Sequence, residues 1–260
     1  MCGRYALSAD PDELIEIFEI DQLTGVDGET HPAGHSDGGR PDWLAPHYNI
    51  APTQTVPAVL RPEASEQGRA LVGLRWGLVP SWSKGPGSGP NPINARLETA
   101  AEKPSFRAAA ARRRCLLPAD GYYEWYRTGG TGSAAKQPYF IRPVVGGPMA
   151  MAGLFEFWRT PAGEWLASCA ILTTSASDEL GHIHDRMPVQ VARENWADWM
   201  DRSLTDARAA LSLVHVPEGH EMTAHPVSTE VNKVGNDSAA LEDPLPGGPD
   251  PTAAPPDARE

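Results

Sequence analysis

The feature that most constrains the fold is a run of apolar, strand-like segments at residues 115–117, 121–126, 138–142, 149–157 and 165–174. Gly-rich turns at 128–133, Gly146-Gly147 and Pro161-Ala162-Gly163 join them. Two further strands, 56–61 and 70–76, precede the run on either side of a polar turn near 63–68. Helices in this reading are short. Asp10-Pro11-Asp12-Glu13 has the form of a helix start, with an acid as cap, Pro in the first turn and Glu three residues after the cap. Leu14, Ile15 and Phe18 supply its buried stripe. Asn94 reads as the cap of another helix, and Pro104 restarts one that ends in Arg112-Arg113-Arg114, a solvated face or a phosphate contact. Helices are also expected at 193–200, with Trp196, Trp199 and Met200 inward, and at 205–213.

A chain of 260 residues that is 40% hydrophobic can bury a substantial core, as one large domain or two small ones. It has no evident long-period repeat and no apolar run near the roughly 20 residues of a membrane span. Pro11, Asp12 and Glu13 interrupt any signal-peptide pattern, so a soluble cytoplasmic protein is expected. The formal charge of −12 argues at first against nucleic acid. However, residues 19–45 and 236–260 each hold six acids and one Arg, and without them 22 acids face 20 bases. The remaining body is near neutral and can carry a local basic face. Residues 21–45, rich in Gly, Asp and His, read as a flexible insertion; His31, His35 and His47, which follows it, could suggest a metal site, but the intervening Gly and Pro favour a loop. The expected organisation is one domain over 2–235 and a disordered acidic tail over 236–260.

Three scattered cysteines, Cys2, Cys115 and Cys169, lack zinc-site spacing and argue against disulfides. Cys115 and Cys169 sit in apolar runs where a buried thiol is the default. Cys2 is different, because loss of Met1 would leave its α-amine and thiol on adjacent carbons. Such a 1,2-aminothiol closes on an aldehyde to a thiazolidine ring, using nucleophiles with ordinary pKa values of about 8 and about 8.5. Tyr122-Tyr123-Glu124-Trp125 sets a carboxylate among aromatics; an isolated strand Glu of this kind ordinarily points to solvent, whereas burial would make it a proton donor or acceptor. His182-Ile183-His184-Asp185-Arg186 packs titratable groups together, and Arg75, Trp76 and Trp82 surround a Gly and a Pro. Those tryptophans read either as core or as faces for unstacked bases.

Taken in order, Cys2-Gly3-Arg4-Tyr5, Tyr48-Asn49-Ile50-Ala51-Pro52, Arg75-Trp76-Gly77-Leu78, Asn94-Ala95-Arg96-Leu97-Glu98-Thr99, Gly121-Tyr122-Tyr123-Glu124-Trp125, His184-Asp185-Arg186-Met187-Pro188 and the segment 227–232 resemble the successive motifs of the SRAP family of abasic-site processing proteins. The resemblance spans roughly residues 2–237. It implies a compact α+β fold on a curved, largely antiparallel β-sheet or barrel with peripheral helices. It also implies a monomeric cytoplasmic DNA-repair protein, nucleoid-associated when bound, that needs no cofactor or metal and has no membrane partner. Its partner would be single-stranded DNA containing an abasic site, cross-linked covalently through Cys2. By motif position Asn94 would hydrogen-bond the opened sugar or thiazolidine, and Glu124 and His184 would handle protons. Arg4, Asn49, Trp76, Trp82, Arg96 and Arg186 would meet DNA. Weak lyase activity, reversal of the link and self-removal of Met1 fit the same chemistry. A rival from another class is a cysteine peptidase with Cys2 as nucleophile, His184 as base and Glu124 or Asp185 orienting it. A third is a non-covalent single-strand binder. The longer insertion and acidic tail depart from the usual pattern without interrupting a motif.

Overall fold

The computed structural model describes residues 2–24, 30–32, 40–62, 68–89, 91–127, 136–176 and 183–247. Among these residues the chain begins β1 (Tyr5–Leu7), α1 (Pro11–Phe18), β2 (Gln22–Thr24), β3 (Thr30–Pro32), β4 (His47–Ile50), β5 (Thr55–Leu60) and β6 (Ala70–Trp76). It continues through β7 (Asn94–Arg96), α2 (Leu97–Ala100), α3 (Arg107–Arg112), β8 (Arg114–Ala119), β9 (Gly121–Arg127), β10 (Lys136–Pro143), β11 (Met149–Arg159) and β12 (Trp165–Ser175). It ends with β13 (Arg186–Pro188), β14 (Gln190–Val191), α4 (Trp196–Trp199), α5 (Ala207–Leu211), β15 (Val214–His215) and β16 (Met222–Pro226). No helix among the described residues is long and apolar enough to cross a membrane.

Five strands close on themselves. β5 pairs antiparallel with β6 and β8, β8 with β11, and β11 with β12, while β12 returns to β6 in a parallel contact at Ser168↔Arg75 and Cys169↔Trp76. Closure removes the strand edges and buries β11 at every position from Met149 to Glu156, so it reads as a continuous apolar run rather than an alternating one. Beyond Trp76 the chain loops out and returns as β7, parallel to the next stretch of β12 with Asn94 opposite Ile171. The loop opens at Gly77, whose φ of +123° favours glycine.

A second, antiparallel sheet in the order β16-β10-β9-β1-β4 begins where the chain leaves β8. Gly121 marks that exit, because a Cβ there would lie 2.5 Å from Phe140 Cζ. The observed α+β architecture is the curved, largely antiparallel one expected. Helix α1 starts as its sequence dictates, with Asp10 accepting from the Asp12 N–H. Its Phe18 stacks on Trp196 at 4.8 Å.

Several expectations fail for identifiable reasons. Asn94 is a strand residue and not a cap; Arg96 holds the cap position of α2. Arg114 is buried rather than solvated, its guanidinium donating to the carbonyls of Trp199, Ala110 and Asp201, and Arg113 pairs with Glu156. The insertion is anchored by β2, which pairs parallel with β6, and by the buried Trp43 and Leu44. Its residues 25–29 and 33–39, including His35, lie outside the described residues, as do most of the turns at 63–68 and 128–133. The tail reading fails over 236–247, where Leu241 is buried and the Leu245 N–H donates to the Pro226 carbonyl. Apolar Leu241 anchors what composition alone marked as disorder; residues 248–260 lie outside the described residues.

Candidate active site

Cys2 lies just ahead of β1 and is 0% exposed. Burial pushes its thiol pKa up and the Glu124 charge pushes the same way, against the smaller downward pulls of the positive N-terminal amine and the Arg4 backbone. The thiol approaches the Arg4 carbonyl at 4.0 Å. Asn94, delivered by the β7–β12 pairing, donates from Nδ2 to the Cys2 carbonyl at 2.7 Å. The other end of that amide, Oδ1, is buried and has no hydrogen-bond partner among the described residues. An orphaned buried acceptor beside the nucleophile is suited to take a bond from a bound amine or hydroxyl.

Glu124 is 2% exposed, which overturns the solvent-facing reading of a strand Glu. It belongs to β9, flanked by the buried Tyr122 and Tyr123, and the β1–β9 pairing aligns this strand with the N-terminus. Burial raises its pKa from 4.5 to about 7, against the pull of the N-terminal amine and with a further push from Asp185. A carboxyl poised there exchanges protons at neutral pH. His184 Nε2 stands 4.0 Å from Glu124 Oε2. Its Nδ1 lies 3.0 Å from both the Arg186 N–H and an Asp185 carboxylate oxygen. Nδ1 cannot accept from the first and donate to the second at once. The neutral ring that accepts from Arg186 therefore directs Nε2–H toward Glu124, while the charged ring turns to Asp185.

The residues expected to meet DNA divide. Arg96 is exposed, two positions along β7 from Asn94 and on the same face by strand alternation. Trp82 is 66% exposed. Arg4 is part-buried, its guanidinium 6.0 Å from the Trp125 ring. Trp76 and Asn49 do not face solvent: Trp76 is 0% exposed, its Nε1 donates to the Ile93 carbonyl, and its ring meets Tyr5 edge-on at 5.2 Å. Asn49 is 3% exposed and spends its amide on Arg4 and on the carbonyls of Val231, Lys233 and Asn236. Arg186 forks onto Glu98 at 2.8 and 3.0 Å and holds that carboxyl's pKa down near 2, so it joins β13 to α2. Sequence reasoning gave the motif at 227–232 no role, yet Val231 and Asn232 accept from Arg4 and Trp125. Only its recurrence as a motif hinted at that.

These features set a buried thiol, an amide and a raised carboxyl around the start of β1, in an α+β fold that joins a closed five-strand barrel to a second sheet. The chain belongs to the SOS response associated peptidase (SRAP) family, whose sequence profile matches residues 1–234. It is 38% identical over 241 residues to the abasic site processing protein YoqW of Bacillus subtilis, covering 93% of this chain and 98% of that one. It is 32% identical over 266 residues to the abasic site processing protein HMCES of Xenopus tropicalis, covering 92% and 76%. Among solved structures, a phage-related protein of Bordetella bronchiseptica superposes with a TM-score of 0.64 at 30% identity, covering 87% of this chain and 94% of that one. A Bacteroides thetaiotaomicron protein shares the fold at a TM-score of 0.74 and 21% identity, covering 94% and 100%.

Proposed function

We propose that this chain senses abasic sites in single-stranded DNA and captures them covalently through Cys2 once Met1 is removed. The observation that carries the reading is the grip of Asn94 on the Cys2 carbonyl, with its own Oδ1 unclaimed, in a site shared with Glu124. The names of the relatives support the substrate. In this reading protonated Glu124, or His184, opens the closed hemiacetal of the abasic sugar. The Cys2 amine adds to the aldehyde carbon and water leaves, giving an imine. The thiol then adds across the C=N bond, its proton passes to nitrogen, and the thiazolidine closes with the loss of one water overall. Arg96 and Trp82 hold the flanking strand, Arg96 through phosphate and Trp82 by stacking. The imine also permits β-elimination, which accounts for weak lyase activity. Water attack on the Met1–Cys2 peptide at the same groups accounts for self-removal of Met1. The soluble chain works as a monomer in the cytoplasm without metal or cofactor.

The test is a denaturing gel of the chain beginning at Cys2, with single-stranded DNA carrying one abasic site or none. A denaturation-resistant band is expected on abasic DNA alone, absent for Cys2→Ala and for a chain carrying a blocking residue before Cys2. A processed chain that gives no band, or a blocked chain that gives the same band, overturns the reading.

A further inference from the structure

The family profile ends at residue 234, but the ordered chain does not. Residues 231–245 cross the second sheet as a strap and are fixed to it at successive points. The Val231 carbonyl accepts from Arg4 Nη1 at 2.8 Å, and Asn232 Oδ1 accepts from Trp125 Nε1 at 2.7 Å. Asp237 accepts from the Tyr48 N–H and lies 2.8 Å from His47 Nδ1. Leu241 is buried with Ala6, Tyr123, Phe140, Val227 and Val231, so it presses on β1 two residues beyond Arg4. The Glu242 carbonyl lies 2.7 Å from His225 Nε2, and the Leu245 N–H donates to Pro226.

Asn49 is where the strap meets the nucleophile's strand. Its Oδ1 accepts from Arg4 Nη1 at 2.7 Å, and its Nδ2 donates at 3.3, 3.1 and 2.7 Å toward the carbonyls of Val231, Lys233 and Asn236. Arg4 is thus clamped at its guanidinium. Its carbonyl, at the other end of the residue, accepts from the Tyr123 N–H and receives the Cys2 thiol. We infer that Asn49 is a positioning residue through which the docked strap, including the part beyond the family-matched region, sets Arg4 and so the Cys2 thiol. The inference rests on the function proposed above only for its consequence in DNA; the clamp itself is independent of it. A clamp two residues from a nucleophile matters because ring closure requires the thiol to sit within bonding reach of the imine carbon.

The experiment compares the chain beginning at Cys2, full length and truncated after Gly235, together with Asp237→Ala in the full chain as a milder variant. The first readout is alkylation of each cysteine by iodoacetamide, followed by mass spectrometry. Cys2 should react about tenfold faster without the strap, while Cys115 and Cys169, deep in the barrel, keep their rates. Equal acceleration of all three cysteines means global loosening and overturns the inference, as does an unchanged Cys2. The second readout is the cross-linking rate as a function of protein concentration. The maximal rate should fall about tenfold while the half-saturating concentration stays within about twofold, since the DNA-facing Arg96 and Trp82 are untouched. Loss in half-saturation alone overturns positioning. A full-length chain that never cross-links refutes the proposed function instead, and the alkylation pattern still decides the clamp.

Discussion

Replacing Glu124 by Gln tests the tuned carboxyl in two ways at once. The folded protein holds this proton up to about pH 7, whereas an unfolded chain releases it near 4.5. Between those values the folded state binds more protons, so wild-type stability falls as pH rises from 4.5 toward 7 and then levels off. At about 1.4 kcal/mol per pKa unit the whole effect is roughly 3 kcal/mol, of which about 2 kcal/mol develops between pH 5.5 and 8.5. The pull of the N-terminal amine is already contained in the value near 7. A neutral Gln has no such dependence, and comparing it with wild type cancels the titrating groups that do not interact with Glu124, including Glu242, which burial also raises to about 7. The melting-temperature gap between Glu124→Gln and wild type should therefore widen in the variant's favour by about 4 to 8 °C over that range. The same variant should cross-link about 10²-fold more slowly or worse, and lose the fall in rate expected of wild type above pH 7 as its general acid ionises. A gap that stays constant with pH would refute the buried, raised carboxyl. A retained inflection near 7 would move the acid to another group.

Asn94→Ala removes the bond to the Cys2 carbonyl and the unclaimed acceptor together, and should lower the cross-linking rate about 10- to 100-fold while binding to intact single strands, read by anisotropy, barely changes. Arg114→Met strips the partner from the carbonyls of Trp199, Ala110 and Asp201 and should cost roughly 2–4 kcal/mol in denaturant unfolding, although burial has already pushed this guanidinium down to about 10. Cys2→Ser keeps the amine but not the thiol. It should give no stable link yet yield a borohydride-trapped adduct on abasic DNA, and the absence of any trapped adduct would show that the thiol adds first.

Where apolar pattern alone decides, sequence and structure coincide: the strand at 70–76 appears with the same ends, and those at 56–61, 115–117, 121–126, 138–142, 149–157 and 165–174 appear extended or shifted by a residue or more. The barrel's closure was not legible, because the parallel β6–β12 contact joins segments about ninety residues apart and leaves no local mark. Polar residues show the same divide. Asn94 carries the ordinary signature of a cap, and only pairing with β12 makes it a strand residue facing Cys2. Arg114 sits in a basic triplet that composition marks as surface, but α4 brings the Trp199 carbonyl to its Nε. Asn49 and Trp76 belong to motifs that look functional, yet both are buried, Asn49 holding Arg4 and Trp76 packing on Tyr5. A motif records that a residue matters; whether it touches the substrate or supports a residue that does is decided by burial.

The buried thiol bears on the choice between the two covalent readings. A peptidase needs a thiolate at the outset, with an imidazole in contact to take its proton. Here burial and the nearby Glu124 charge disfavour the thiolate and outweigh the N-terminal amine and the Arg4 backbone, which favour it. His184 turns to Glu124 and Asp185. For an aminothiol the same arrangement is no handicap. The amine makes the first bond, the imine carbon it creates is electrophilic enough for a neutral or only briefly ionised thiol, and the thiol proton has a destination on the imine nitrogen. Keeping the thiol protonated until an imine forms would also spare it from adventitious electrophiles and oxidants, which select thiolates. The features that weaken Cys2 as a protease nucleophile are thus those a protein would need if it must carry an aminothiol unspent until an aldehyde arrives.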